Sequence, residues 1–540
     1  MENDVHFHSM PSWAAMLRNL PFTYPFAYAP DKFCREAASQ TRDEIARHAT
    51  LAEELEDGKM LGVLTCENRN GEVGFLASFS GTMRSVQETL WFVPPVLDYS
   101  DEDGVFKREE AAISEIGRTI ESRMRDGIGH HAAALREMEA AHSAELRKWR
   151  DAMTTNRAAR RLEREEHPER ADELNLRSQH EKAEFKRLRN RLANEEETLR
   201  RHIGAHEAAT QELRTERRRR SNILQRWLFS RMRLHCADGR RVSVWDIFQA
   251  AGRGIPPSGA GECAAPKLLN YAFANGMTPI SMAEFWIGKS PKGEIRIAGQ
   301  FYPACQTKCR PLLERMLRGV DVARNPLRQS LADDGGVRII AEDEWLLVAD
   351  KPAGLMTVSD DESQDTLMRR IMAVRPGIDA HGYTHRLDMA TSGIVVIAKD
   401  KATHKAMQQL FATRLVSKTY VAMVEGVPEA KNGTIRLPLI PNIDDRPRQM
   451  VDFVRGKEAI SHYEVIETSG DRSRLLMHPT TGRTHQLRIH AAHPLGLGCP
   501  IVGDNLYGTM SRRLLLHSAK IEFVHPQTGA TVCYESPAEF

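Results

Sequence analysis

The feature that most constrains this fold is a charge-rich stretch from residue 106 to residue 227. It is rich in Glu, Arg, Ala and Leu and almost lacks β-branched residues, as in HEKAEFKRLRNRLANEEETLRRHI. Such a composition favours long, solvated helices with paired charges. Pro168 should interrupt the stretch, because proline removes a backbone donor from a helix. We therefore predict an antiparallel helical hairpin, with a parallel dimeric coiled coil as the alternative.

The segments on either side of this helical arm have a globular character. Residues 1–105 mix apolar runs with turns, and Asn70-Gly71 between two apolar stretches predicts a β-hairpin. Residues 228–325 resume the same pattern, so we expect the two segments to pack together as one small α/β region. The turn-rich run RNPLRQSLADDGG, from Arg324 to Gly336, predicts a linker, which we place at residues 326–337.

Residues 338–540 form the last predicted domain. Two helical patterns, KATHKAMQQLFAT and RTHQLRIHAA, interrupt a series of apolar segments. This alternation predicts a mixed sheet with flanking helices, and hence an α+β protein overall. The predicted strands are EWLLVAD, SGIVVIAK, KTYVAMVEG, AISHYEVIE, SRLLMH and AKIEFVH.

Composition limits the function and the location of the protein. The formal net charge of the 540 residues is only +2, so a nucleic-acid site must come from local clustering of basic side chains. No apolar run approaches the ~20 residues of a membrane helix, and MENDVHFHSM does not resemble a secretory signal. Eight dispersed cysteines do not suggest a disulfide framework. We expect a cytoplasmic, monomeric protein with reduced thiols and no membrane partner.

Asp388 is the candidate reactive carboxylate, within HGYTHRLDMATSGIVVIAKD. A polar loop beside a buried strand is a favourable place for a reactive group. A simpler interpretation is that Asp388 caps a turn by accepting hydrogen bonds from the Thr391 and Ser392 amides. Turn chemistry alone favours that interpretation for an isolated Asp before Thr-Ser-Gly.

Other motifs favour the catalytic interpretation of Asp388 over the turn cap. HRLDMATSG resembles the signature of the RluA family of pseudouridine synthases, and the RluA subgroup fits best. Three more segments match in order over about 200 residues, and one departure is Cys499, where the family usually has His. We expect that departure to matter little. The matching segments are KPAG (Lys351 to Gly354), KTYVA (Lys418 to Ala422) and TGRTHQLRIH (Thr481 to His490).

The resemblance implies an isomerase that converts uridine to pseudouridine in structured RNA, without a cofactor. It implies large-subunit ribosomal RNA and transfer RNA as substrates. Asp388 would attack the sugar or remove its 2′ proton, Arg483 would be the guanidinium that pairs with it, and Tyr420 would stack on the uracil and help remove the C5 proton. A non-catalytic RNA- or ribosome-binding factor is the alternative, and the set of three side chains argues against it.

The resemblance also implies RNA contacts at the flipped base. Arg386 would fill the space that the base leaves, with His385 and Lys418 beside it, and Lys351 would contact phosphate or support the floor of the pocket.

A second basic cluster lies in the helical arm, where residues 201–228 hold seven Arg against three Glu. A phosphate contact and a solvated helix end remain equal alternatives for this cluster. The arm is also a candidate surface for the ribosome or a protein partner. The strongest local run is Arg217, Arg218, Arg219 and Arg220.

Three cysteines suggest a metal site that we do not expect to be filled. Cys263, Cys305 and Cys309 are zinc-type ligands, but their pattern departs from that of the zinc deaminases. Ala265 replaces the required Glu, and Ala304 replaces the proline before the first cysteine of the pair. Buried free thiols are therefore the favoured interpretation, with no metal.

Overall fold

The computed structural model describes residues 5–10, 20–85, 89–98, 104–326, 336–359 and 364–540. The chain divides into two compact units, one of Met1–Leu97 with Phe229–Phe540 and one of Asp98–Leu228. The predicted linker at 326–337 lies almost entirely outside the described residues. No described helix is both long enough and apolar enough to cross a membrane. The α+β class predicted from the sequence is confirmed.

The regular elements are numbered in chain order. The α-helices are α1 (Lys32–Arg47), α2 (Ala49–Glu56), α3 (Val105–Ser122), α4 (His130–Glu166), α5 (Ala171–Arg231), α6 (Val244–Ala250), α7 (Ala264–Ala274), α8 (Cys309–Met316), α9 (Leu367–Val374), α10 (Lys401–Ala412) and α11 (Gln486–Ala492). The strands are β1 (His8–Ser9), β2 (Lys59–Glu67), β3 (Val73–Phe79), β4 (Arg233–His235), β5 (Arg241–Ser243), β6 (Thr278–Ile287), β7 (Phe301–Tyr302), β8 (Arg338–Glu342), β9 (Leu346–Lys351), β10 (Ser392–Ala398), β11 (Ser417–Glu425), β12 (Asn432–Arg436), β13 (Leu439–Pro441), β14 (Gln449–Val451), β15 (Ile460–Ser469), β16 (Arg472–Pro479), β17 (Leu516–Val524) and β18 (Thr531–Glu535).

The charge-rich stretch folds as an antiparallel helical hairpin. A π-helical segment, Arg123–Gly129, joins α3 to α4, and the predicted interruption begins at Pro168 with a short 3₁₀ turn. Ion pairs between α4 and α5 join Glu139 to Arg200 and Arg160 to Glu181, so the two helices run in opposite directions. The 61 residues of α5 span about 90 Å.

The two globular segments that flank the arm share one sheet, as the sequence suggested. Its strand order is β1-β3-β2-β6-β7, and the predicted hairpin joins β2 to β3. Strand β2 also pairs antiparallel with β6, which lies on the other side of the insertion in the sequence. Alternate residues of β2 pack into two separate cores: Leu61 and Val63 lie with α1 and α2, whereas Leu64 and Cys66 lie with α6, α7 and α8. The region is therefore a sheet covered by helices on both faces.

The C-terminal segments form the larger sheet, with strand order β12-β15-β16-β11-β17-β10-β9-β8 and β18 paired to β17. All six predicted strands and both predicted helices are present. Strand β10 is fully buried and pairs parallel to β17. Gly393 has φ +111°, and a Cβ there would lie 2.3 Å from the Ser518 carbonyl oxygen. Only glycine allows this approach, which fixes β10 at the end of the Asp388 loop.

Candidate active site

Asp388 lies in a loop whose backbone is held on both sides of it. The Thr357 hydroxyl donates to the Leu387 carbonyl oxygen at 3.0 Å and accepts from the Leu387 N–H at 3.2 Å. The Lys351 ammonium donates to the Met389 carbonyl oxygen at 3.2 Å. These contacts use the backbone and leave the Asp388 carboxylate 26% exposed. The loop thus presents a fixed carboxylate that can still reach a substrate.

The turn-cap interpretation of Asp388 does not hold in this loop. The Thr391 N–H donates to the backbone carbonyl oxygen of Asp388, at 3.1 Å, and not to its side chain. Within the residues described, no backbone N–H donates to the carboxylate. Its nearest polar neighbours are Nη1 of Arg488, at 3.9 Å, and Nε2 of His485, at 4.0 Å.

Arg488 is therefore the guanidinium beside Asp388, and the pairing expected of Arg483 is corrected. The Arg483 side chain is exposed, and its Nε donates to the Glu458 carbonyl oxygen at 3.0 Å. The two arginines belong to the same motif, but α11 begins at Gln486 and carries only the second one inward. Arg483 still lines the cavity described below, without an ion pair to the carboxylate.

A buried ion pair orients Arg488. Its Nε and Nη2 donate to the two carboxylate oxygens of Asp504 at 2.7 and 2.5 Å, and the Leu506 N–H adds a 2.9 Å bond to the same carboxylate. Burial alone would raise the pKa of Asp504, but Arg488 and these donors hold that pKa below its usual value. The bidentate geometry leaves Nη1 of Arg488 to face Asp388.

His485 adds a neutral ring to this corner of the site. It has a left-handed backbone, with φ +54°, immediately before α11. Burial lowers the pKa of His485 to about 4, against the attraction of Asp388. Its Nδ1 shares a 2.8 Å hydrogen bond with the Tyr507 hydroxyl. A neutral imidazole does not compete with Arg488 for the carboxylate charge.

Tyr420 lies on β11, opposite Met477 of β16, at a register irregularity between Thr419 and Tyr420. Burial raises the pKa of Tyr420 to about 12, although a hydrogen bond with Ser518 opposes the rise. The phenol is therefore protonated near neutral pH. It offers a ring face and a hydroxyl group to the site.

Asp388 and Tyr420 line one cavity of about 760 Å³. Asp388 is the single acidic side chain among the residues that line it, whereas five lining side chains are basic. A neutral domain thus forms a local positive surface around one carboxylate, as an RNA site requires. The basic residues are Arg386, Arg414, Lys418, Arg483 and Arg488.

The predicted RNA contacts separate into two groups. Arg386 is exposed at the cavity and has neither an ion pair nor a hydrogen bond within the described parts of the chain. Lys418 also lines the cavity, with its ammonium 6.0 Å from the centre of the Phe411 ring. His385 lines the cavity as well, but burial lowers its pKa to about 3 and its Nε2 accepts from the Val396 N–H. It is a neutral support rather than a cationic contact.

The phosphate contact considered for Lys351 is corrected by its burial. The side chain is fully buried, and its ammonium also donates to the carbonyl oxygens of Pro352 at 3.0 Å and Leu355 at 2.7 Å. Burial lowers the pKa of Lys351 to about 7, against the attraction of Asp388 and Asp350. Lys351 thus holds the backbone next to Asp388, and its support of the pocket floor stays a prediction.

The arginine run in the arm is partly neutralised. Arg219 donates to Glu216 at 2.7 and 2.8 Å, and Arg220 donates to the same carboxylate at 2.9 Å. Arg220 also lies 3.6 Å from Glu109. The remaining candidates for an RNA contact are Arg217 and Arg218, for which we find no ion pair in the described residues.

Sequence analysis missed Arg488, Asp504 and Tyr507. Arg488 stands in the quoted TGRTHQLRIH, and the other two stand in the later segment PIVGDNLYG. One signal in the sequence was available. THQLRIH has the pattern of a short helix, and Arg488 lies inside that helix, between Gln486 and His490. The pairing of Arg488 with Asp504 required the fold.

Comparisons with known proteins identify the family of the C-terminal domain. The family model described as RNA pseudouridylate synthase matches residues 345–493. The chain is 40% identical over 210 residues to the Escherichia coli (strain K12) protein named dual-specificity RNA pseudouridine synthase RluA, which covers 37% of this chain and 93% of that protein. The Haemophilus influenzae protein of the same name is 39% identical over 213 residues, with 37% and 93% covered.

Solved structures were compared as well. Human RNA pseudouridylate synthase domain containing 1 aligns with a TM-score of 0.32 and 28% identity, covering 38% of this chain and 84% of that one.

Proposed function

Because this chain belongs to the RluA family of RNA pseudouridine synthases, we propose that it isomerises specific uridines of structured RNA with Asp388 as the catalytic carboxylate. One observation carries the proposal: Asp388 is the single acid in a positively charged cavity, and Arg488 is fixed beside it by a buried partner. The family resemblance gives large-subunit ribosomal RNA and transfer RNA stem-loops as the proposed substrates.

The reaction breaks the bond from C1′ to N1 of uracil and forms one from C1′ to C5. The C5 proton leaves and N1 ends protonated, so no atom is gained or lost. Asp388 attacks C1′ or removes the 2′ proton, and both routes require an ionised carboxylate. Arg488 acts on this carboxylate through charge at 3.9 Å, while Asp504 keeps the guanidinium in place.

Tyr420 has a role compatible with a protonated phenol. Its ring packs beside the cavity core and can stack on uracil. Because burial raises its pKa to about 12, the hydroxyl does not wait as a phenolate. We infer that its hydroxyl takes part in the removal of the C5 proton while its ring holds the base.

Base flipping would give a role to Arg386, which has no ion pair or hydrogen bond among the residues that the structure describes. A target base inside a stem must leave its stack at a cost of a few kcal/mol before it can reach Asp388. Arg386 is exposed, lines the cavity and stands two residues before Asp388. A guanidinium in this position can fill the space that the base vacates and contact phosphate.

Pseudouridine mapping tests the proposal. Total RNA is compared between cells with and without the gene, and the gene is restored as wild type, Asp388→Asn or Asp379→Asn. Asp379 is a matched control, since it is an exposed acid nine residues earlier. We expect sites that disappear without the gene and return with wild type and Asp379→Asn, but not with Asp388→Asn. If no site changes in any strain, the protein is an RNA-binding factor without this activity.

A further inference from the structure

Three thiols converge in the N-terminal α/β region, away from the synthase motifs. The sulfur atoms of Cys263, Cys305 and Cys309 all lie within 4.8 Å of one another. Tetrahedral zinc with thiolate bonds of ~2.3 Å separates its sulfur ligands by about 3.8 Å. Small side-chain rotations therefore suffice to bring these three sulfur atoms onto one ion.

The fold brings the thiols together from two distant segments. Cys263 is the residue immediately before α7, Cys309 is the first residue of α8, and Cys305 lies in the turn before it. The Cys309 N–H donates to the Cys305 sulfur at 3.4 Å. Two helix starts thus bring the three sulfur atoms to one place.

A buried carboxylate lies beside the thiols. Glu284 on β6 is 3% exposed. Its Oε1 accepts from the Ala265 N–H at 3.2 Å, two residues after Cys263 in the sequence. No Lys, Arg or His forms an ion pair with Glu284 within the part of the chain that the structure describes. Three thiols and a buried acid without a paired cation form a suitable environment for a dication.

We propose that Cys263, Cys305 and Cys309 bind one zinc ion as thiolates, and that Glu284 completes the coordination directly or through a water molecule. The alternative is three metal-free thiols, with Cys309 buried and Cys263 and Cys305 partly exposed. The deaminase pattern has its acid two residues after the first ligand, at the position of Ala265. Here the backbone of that residue holds Glu284 instead, and the proposed role is structural.

The ion would hold a loop that contacts the synthase domain. Thr307 and Lys308 lie between the two cysteines of this loop. The Thr307 hydroxyl oxygen accepts from the Arg446 N–H at 3.2 Å, and Lys308 lies 3.5 Å from Asp444. Zinc would therefore link α7 to one of the loops of the N-terminal region that contact the segment around residue 445.

Metal analysis of the full-length protein is the first test. The protein is purified with reductant, without chelator and with any affinity tag removed. We expect close to one zinc ion per chain. Cys263→Ser, Cys305→Ser and Cys309→Ser should each lose at least nine tenths of it. Cys236→Ser is the matched control, because Cys236 is buried in the same core but outside the thiol cluster, and it should retain the metal.

Cobalt titration keeps the test valid if a variant fails to fold. Co²⁺ added to the metal-free wild-type protein should give thiolate charge-transfer absorption and the visible bands of tetrahedral cobalt, and Zn²⁺ should abolish both. Glu284→Gln should weaken zinc binding about 10- to 100-fold while leaving the charge-transfer bands in place. Unchanged affinity would remove Glu284 from the proposal.

Other outcomes would overturn the thiolate site itself. One is wild-type protein that contains no zinc and shows no shift of its unfolding temperature when Zn²⁺ is added. Another is zinc that remains in all three cysteine variants. A third is peptide mapping that finds a disulfide among these cysteines in the protein as purified. None of these results bears on pseudouridine formation, which Asp388→Asn tests separately.

Discussion

Arginines in the helical arm and in the active-site cavity make ion pairs of similar length in opposite surroundings. In the arm, Arg200 lies 2.6 Å from Glu139, and their side chains are 46% and 42% exposed. In the cavity, Arg488 lies 2.5 Å from Asp504, and theirs are 3% and 0% exposed. Water solvates the separated charges in the first case but not in the second. The distance between two charges therefore says little until their burial is known.

The difference also shows how each region is built. The arm distributes charge over many solvated pairs, several of them three or four residues apart on one helix. The cavity has one connected group in which Asp504 orients Arg488 and Arg488 faces Asp388. Loss of one arm pair leaves its neighbours unchanged, whereas loss of one cavity member affects the others.

The largest expected effect comes from Arg488→Met. It leaves the Asp504 carboxylate buried without its cation, which should lower the free energy of unfolding by about 3–5 kcal/mol. Pseudouridine formation should fall to background, because Asp388 loses the charge beside it. Urea unfolding and single-turnover assays on target RNA measure the two effects.

The double variant Arg488→Met/Asp504→Leu separates stability from chemistry. Removing both charges should restore most of the lost stability, since no unpaired ion remains buried. Activity should stay lost. Recovery of activity in the double variant would contradict the role given to Arg488.

A smaller effect is expected from acid pH. Burial lowers the pKa of His490 to about 4, whereas it is 6.5 in the unfolded chain. The unfolded state therefore binds more protons between pH 4 and 6.5. The stability from this group is complete above pH 6.5 and declines as the pH falls. The loss at pH 5.5 should be about 1 kcal/mol.

His490→Gln tests the origin of this pH dependence. The ring accepts from the Ser461 hydroxyl through Nδ1, at 3.0 Å, and Nε2 lies 3.3 Å from the Leu437 carbonyl oxygen, to which it donates in the neutral form. Glutamine can accept and donate in the same two directions without titrating. Hydrogen exchange of the α11 amides in urea at pH 7 and 5.5 should show a smaller pH difference in this variant. An identical difference would assign the dependence to other groups.

The RNA-binding contributions of the two regions are compared next. Lys418→Gln removes a cavity cation and should weaken RNA binding several-fold and reduce the salt dependence by about one unit of slope. Arg218→Gln removes an unpaired arm charge. If the arm contacts RNA, the salt slope of Arg218→Gln should decrease as much as that of Lys418→Gln. If the arm is a solvated helix, the salt slope of Arg218→Gln should equal that of the wild type. Binding isotherms at several salt concentrations measure both.

The sequence was sufficient to predict those features of the fold that depend on the chemistry of neighbouring residues in the chain. Pro168 interrupts the helical arm because of its own backbone, as its sequence predicts. The strand pattern and the motif order were enough to predict the synthase fold, whereas the catalytic role of Asp388 stays a prediction.

Sequence was insufficient where the answer depends on distant groups. Arg483 and Arg488 are equivalent in a motif, and only Asp504 and the left-handed turn at His485 decide which one faces Asp388. Lys351 looked available until the fold placed three carbonyl oxygens around its ammonium. The thiol cluster likewise required the packing of α7 against α8.

The smallest expected effects concern two ion pairs of the arm. They test whether the stability that an ion pair contributes depends on its burial or on the region in which it lies. Arg160 and Glu181 are only 16% and 12% exposed, at 2.6 Å, although they belong to the same hairpin as Arg200. Arg160→Met should therefore destabilise the arm by about 1 kcal/mol, at the upper end for surface pairs. Arg200→Met should cause no measurable change. Thermal unfolding followed by helical circular dichroism, at low and high salt, compares the two. Equal effects would mean that location in the arm, and not burial, sets the value of an ion pair.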